Sequence, residues 1–144
     1  MFSPSQDDVR RFFCQVMSRW QQGEPLDALQ TLAAQWVQEH PEFHSVLSDE
    51  AWALRQTYPV EAGHANPFLH LSMHLSISEQ CSIDQPQGIR QAVEQLTTRK
   101  DSLHEAHHGV MECLGAMLWE SQRSGRPPDG QAYVASVLRM ATHD

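Results

Sequence analysis

The sequence is short of several things, and each shortage excludes something. It has three cysteines, two tyrosines and only ten basic residues in 144. Cys14, Cys81 and Cys113 are odd in number, and each lies in apolar sequence of helical pattern. That excludes a disulfide framework and reads as reduced core thiols in a cytoplasmic protein. Ten basic against eighteen acidic residues leave a net charge of −8 with histidine neutral. Such a chain does not attract nucleic acid or an anionic membrane over its whole surface. The pairs Arg10-Arg11 and Arg99-Lys100 are too small for a nucleic-acid footprint. No apolar run reaches the ~18 residues of a membrane-spanning helix, in keeping with a mean hydropathy of −0.49. The segment Met1–Asp8 has neither the basic nor the apolar region of a signal peptide. On this reading no His-Glu-x-x-His zinc motif is picked out, and a Cys-x-x-Cys-His haem attachment, a phosphate-binding glycine loop and a Gly-x-Ser-x-Gly elbow are also missing.

What is present is helical punctuation. The length suits one domain, residues 1–144, burying about 70% of the surface of its unfolded chain. Ser3 and Pro4 open a first helix whose apolar stripe runs Val9, Phe12, Phe13, Val16, Met17 and Trp20, and Gly23 ends it. A second stripe, from Leu29 to Val37, stops at His40-Pro41 because proline disfavours helical backbone in the residue before it. Two short helices follow, from Pro41 and from Ser48 to about Gln56. Residues 57–66 read as a linker. Asn66 caps and Pro67 opens a helix over roughly 67–82 that is apolar on more than one side, as a central helix is. A shorter helix carries Ile89, Val93 and Leu96. Ser102 and Glu105 form a capping box for a long helix to about Arg123, and Asp129 caps the last one. No strand pair emerges. The expected fold is all-α, about four main helices with short ones attached. Phe12, Phe13, Trp20, Trp36, Trp52 and Trp119 sit at core spacings and read as packing.

The composition has one excess: nine histidines. His70 and His74 are four apart and share a helical face, the simplest way for a helix to offer two nitrogen ligands to one metal ion. His104, His108 and Glu112 repeat the spacing on the long helix. Glu112 lies in the run Gly109–Leu118, which holds no other charge, and a carboxylate buried there needs a cation or several donors. A salt bridge to Arg90 or Arg123 is the bland alternative. His40 and His44 form a third pair, interrupted by Pro41; His44 is favoured as a ligand, and His40 reads as a cap on the second helix. The expected metal set is His44, His70, His74, His108 and Glu112, with His104, His40 and Glu79 weaker. His107 reads as supporting or surface, and His64, His143 and Glu120 as exposed. Nitrogen-rich ligation with one carboxylate suits zinc or iron, less often copper or nickel, as one ion or a dinuclear pair.

Asn66-Pro67-Phe68-Leu69-His70-Leu71-Ser72-Met73-His74, Glu79-Gln80 and Ser82-Ile83-Asp84-Gln85-Pro86 carry a family resemblance. So do Phe12-Phe13, His40-Pro41-Glu42-Phe43-His44, Met111-Glu112-Cys113-Leu114 and Pro127-Pro128-Asp129-Gly130. On these the chain is similar to a family of small bacterial proteins, common in proteobacteria, classed as a domain of unknown function. The resemblance implies a stand-alone bacterial domain and no particular activity. A looser one is to hemerythrin-like bundles, which hold two irons with a lone His, a His-x-x-x-Glu and a His-x-x-x-His. His44, His108-x-x-x-Glu112 and His70-x-x-x-His74 are similar pieces. Their order is reversed, and a closing His-x-x-x-x-Asp is not found.

Two functions from different classes follow. The first is a metal-binding helical protein of unassigned activity; were it an enzyme, the ion would activate water or dioxygen. The second is an adaptor whose histidines form a hydrogen-bonded core network, meeting basic partners or self-associating into a homo-oligomer through an apolar face. A histidine-based pH sensor is the third and least supported.

Overall fold

A computed structural model describes residues 5–58 and 66–143. Among them the chain is all-α, as the punctuation requires: eight α-helices and one 3₁₀ turn, with no strand. The helices are α1 (Gln6–Gln22), α2 (Ala28–Gln38), α3 (His44–Leu47), α4 (Glu50–Arg55), α5 (Pro67–Ile83), α6 (Ile89–Lys100), α7 (Leu103–Ser124) and α8 (Gly130–Thr142). The 3₁₀ turn is Pro41–Phe43. The single domain expected over 1–144 divides into two compact units, Met1–Leu75 and Ser76–Asp144, and α5 carries the chain from one into the other.

In the first unit α1 packs on α2, α3 and α4. Its core joins Phe13, Val16 and Met17 of α1 to Ala33, Trp36 and Val37 of α2, Leu47, Ala53, and Phe68 and Leu71 of α5. The start of α1 lies two residues beyond the expected cap. Ser5 accepts from the Asp8 amide and Asp8 reaches back to the Ser5 amide; Ser3 and Pro4 lie outside the described residues. Gly23 closes α1 in the left-handed region, φ 69°, which glycine adopts without steric cost.

Arg10, a member of one of the two basic pairs, is not on the surface. It is buried, and one guanidinium nitrogen donates to the carbonyls of Ala53 (2.7 Å) and Gln56 (2.8 Å). The group also sits 5.3 Å from the Tyr58 ring and 5.4 Å from that of Phe68. A cation at the carbonyl end of α4 meets the negative end of its dipole, and two aromatic faces cover it from water.

In the second unit α6, α7 and α8 pack on one another. Ile89, Val93, Leu96, Val110, Leu114, Tyr133 and Val137 are buried. Tyr133 donates to Gln80 at 2.6 Å. Arg90 donates to the carbonyls of Cys81 (2.6 Å) and Ser82 (2.8 Å) near the end of α5, so it is no partner for Glu112. A side chain at Gly130 would meet Pro86 at 2.9 Å, so only glycine lets α8 start that close to the turn after α5. The aromatic expectation needs correcting at two positions. Trp52 is 40% and Trp119 62% exposed, Trp119 lying under the Arg123 guanidinium. A helix with apolar residues on several faces buries only those that meet another element.

Candidate functional site

The first unit assembles three imidazoles. His70 and His74 come from successive turns of α5, as their spacing requires. The third is His40, delivered by the stop at the end of α2, where Pro41 turns the chain into the 3₁₀ segment. His40 Nε2 lies 3.0 Å from His70 Nε2, and His70 Nε2 lies 3.2 Å from His74 Nε2. His40 and His74 are buried, at 2% and 0% exposure, and His70 is half-buried.

The rings are held firmly. His40 Nδ1 lies 2.7 Å from the Trp36 carbonyl oxygen. A carbonyl can only accept, so Nδ1 carries the hydrogen, and in the neutral ring Nε2 keeps its lone pair. Phe43 stacks on His40 with centroids 5.2 Å apart. His74 stacks on the Trp36 indole at 4.0 Å and 12°. Trp36 therefore fixes one ring through its carbonyl and another through its side chain.

The tautomer has a chemical consequence. Within the trio, His70 Nε2 faces the lone pair of His40 and the Nε2 of His74. One ring nitrogen holds one hydrogen or one lone pair, so it cannot complete two such hydrogen bonds at once. A cation among the three nitrogens satisfies all of them. Nitrogen ligands about 2.0–2.1 Å from a tetrahedral zinc ion stand about 3.3 Å apart, and at right angles round a six-coordinate ion about 3.0 Å. The observed 3.0 and 3.2 Å lie close to both values.

The structure directs His44 elsewhere. It is half-buried, its Nε2 donates to the Val37 carbonyl at 2.8 Å, and its ring meets Trp20 edge-on at 5.6 Å. The places expected from spacing are thus exchanged: His40 stands with His70 and His74, and His44 closes the end of α2. The reason is the 3₁₀ turn, which removes the shared face that four-residue spacing has on an α-helix.

The second unit carries its own set on α7. The rings of His104 and His108 lie 4.6 Å apart at 74°, and each offers a nitrogen within 4.8 Å of the other's. Both are half-buried. Glu105 Oε1 stands 4.0 Å from His108 Nδ1. His107, expected as supporting or surface, is 2% exposed. Burial pushes its imidazole down to about 3, and His104 and His108 lower it further, so it stays neutral near pH 7.

Glu112 overturns the expectation of a buried carboxylate: its side chain is exposed. The uncharged run around it belongs to several faces of a 22-residue helix, and Glu112 takes the face that no element covers. Arg123 pairs instead with Glu120, at 2.7 and 3.1 Å. Glu120 and His143 are exposed as expected, and Glu79, a weaker ligand candidate, is exposed as well; His64 lies outside the described residues. The three cysteines are free, Cys14 and Cys113 buried and Cys81 half-buried. Burial raises all three thiols, Cys14 and Cys81 to about 11, so none is poised as a nucleophile.

The expected absence of a His-Glu-x-x-His pattern is corrected on α7. His104-Glu105-Ala106-His107-His108 has the form His-Glu-x-x-His and lies on a helix, the setting in which that pattern supplies two zinc ligands and a carboxylate base. A groove of about 670 Å³ opens beside it. Glu105, His108 and Glu112 of α7 line it together with Arg99 and Lys100 of α6 and Arg139 of α8.

Residues 5–139 match the family described as "Domain of unknown function (DUF1841)", and the chain belongs to that family. Comparison with the curated proteins and with the solved structures gives no match in either. Among the described residues no helix is long and apolar enough to cross a membrane.

Proposed function

We propose that this protein binds a transition metal, zinc or iron, through its histidines. His40, His70 and His74 hold an ion on their Nε2 atoms, and His104 and His108 offer a second pair of donors on α7. The observation that carries the reading is the trio of Nε2 atoms at 3.0 and 3.2 Å with the His40 tautomer set by the Trp36 carbonyl. A backbone acceptor on the outer ring nitrogen is the usual device for orienting a metal-binding histidine. Three protein nitrogens leave positions for water or dioxygen on the ion. Three free thiols suit a reducing compartment, the bacterial cytoplasm.

The test is the metal content of untagged protein purified without chelator, with zinc affinity measured against a competing chelator. Near-stoichiometric metal that His74→Ala abolishes bears the reading out. A ratio of two ions per chain assigns one to each histidine set. A ratio of one, lost in His74→Ala and kept in His108→Ala, assigns the ion to the trio. Substoichiometric metal that neither substitution changes defeats the reading.

A second reading has its own observation. The His74 ring lies flat on Trp36 and is fully buried, so the histidines also fit an adaptor with an imidazole core that ties α5 to α2. On that reading EDTA leaves the melting temperature unchanged. On the first, EDTA lowers it by several degrees, since a ligand that binds only the folded state stabilises it.

A further inference from the structure

We propose that the outer face of α7 pairs with the same face of a second copy of this chain, the two helices running antiparallel about a two-fold axis. Nothing in this pairing depends on a bound ion.

The face is a single stripe. Glu112, Gly115, Ala116, Trp119 and Arg123 recur at steps of three and four residues, so they line one side of the helix. Gly115 is half-buried and the other four are exposed. The opposite side, with Ala106, Val110, Cys113 and Leu114, is buried, and α7 packs on α6 and α8. Trp119 is 62% exposed and Leu118, beside it, 44%. Single apolar residues on a surface are ordinary. A tryptophan next to a leucine, on a helix whose other side is already packed, is a face that no described element covers.

The charges indicate what covers it. Glu112 and Arg123 stand at the two ends of the stripe, about 17 Å apart along the helix. Glu112 is exposed and makes no ion pair among the described residues. Arg123 lies over the Trp119 ring at 5.4 Å and uses its Nε and one terminal nitrogen on Glu120. A guanidinium has five donors, so others remain. In a parallel pair each charge meets its own kind. In an antiparallel pair with the two-fold axis between positions 117 and 118, Glu112 of each copy faces Arg123 of the other. The same register sets Trp119 against Ala116 and Gly115 of the second copy. A Cβ at Gly115 meets nothing within 4 Å in the single chain, which leaves room there for the incoming indole. One register thus joins both charge pairs and seats the largest side chain on the smallest, as a self-complementary contact requires. A partner of uniform charge is repelled at one end of the stripe.

The pairing is weak. About three turns from each copy cover less than the ~1,200 Å² of a standard interface. A net charge of −8 on each copy opposes association further. The dissociation constant is on the order of 100 μM, so single chains prevail in dilute solution.

The experiment is sedimentation equilibrium of the full chain from about 10 μM to about 1 mM, bracketing that constant. It is repeated on Gly115→Gln, Glu112→Arg, Arg123→Glu and the double substitution Glu112→Arg/Arg123→Glu, with circular dichroism to verify folding. A monomer–dimer equilibrium is expected. Gly115→Gln removes a glycine from a helix interior and raises the melting temperature of the single chain. It nonetheless weakens dimerisation at least about tenfold, because its side chain blocks Trp119 of the second copy. Each charge reversal weakens the dimer about tenfold, and the double substitution, with opposite signs restored, returns to within about threefold of wild type. A chain that stays monomeric throughout overturns the proposal. So does a dimer that Gly115→Gln leaves intact, since it lies on another face. A dimer lost in both reversals and not regained in the double substitution overturns the antiparallel register.

Discussion

His70 and His74 on α5, and His104 and His108 on α7, are the same local pattern twice, and they end in different surroundings. The α5 pair meets a third histidine from the end of α2 and lies under Trp36, with His74 fully buried. The α7 pair is half-buried, stands beside a carboxylate and borders a groove. Spacing decides which imidazoles share a face; what packs on that face decides their use. One set is clamped by stacking and a backbone acceptor, and the other stands beside an exposed acid and an open groove.

The contrast breaks most sharply on stability in chelator-treated protein. His74→Ala removes a fully buried ring from between Trp36 and His70, and urea unfolding should show a loss of about 2–4 kcal/mol. His108→Ala, at a half-exposed position, should cost under about 1 kcal/mol. Equal losses would mean that the two sets are equally structural.

Acid tests the α7 set next. Burial holds His107 at about 3 when folded, against an ordinary 6.5. Between those values the unfolded chain binds a proton that the folded chain does not. The stabilisation is therefore fully present above pH 6.5 and is lost progressively as pH falls toward 3. The loss is on the order of 4 kcal/mol at the lower end. His107→Gln should flatten the fall of melting temperature with pH across that window, measured without metal. An unchanged slope would place the acid sensitivity elsewhere.

The smallest effect sharpens the comparison from the other side. Glu112→Gln should leave zinc affinity and stability within about 0.5 kcal/mol of wild type, because an exposed carboxylate is already satisfied by water. A tenfold fall in zinc affinity would restore Glu112 to the ligand set.

Much of the fold could be read from the chain because the signals are local. Gly23, His40-Pro41, Asn66-Pro67, Ser102, Gly125 and Asp129 each stop or start a helix through their own backbone or side-chain chemistry. The four-residue pairs were legible for the same reason. His40 was not: its place with His70 depends on a 3₁₀ turn and on where α2 meets α5, and spacing along one segment encodes neither. The misreading of Glu112 has a related origin, since an uncharged stretch shows that a helix has few polar residues, not which side is covered. Arg10 sits beside Arg11 in sequence like any surface pair, and only the folded chain brings the carbonyl end of α4 and two aromatic rings to it.

Trp36 gives the molecule an optical gauge of its own. Its indole is 3% exposed and lies flat on His74, whereas Trp52 and Trp119 look onto water. Charge arriving on the His74 imidazole, as a proton or as a coordinated ion, alters the electronic surroundings of one shielded chromophore while the exposed ones keep theirs. Short-wavelength tryptophan emission is therefore the expected reporter of any charge that reaches His74 in unlabelled protein.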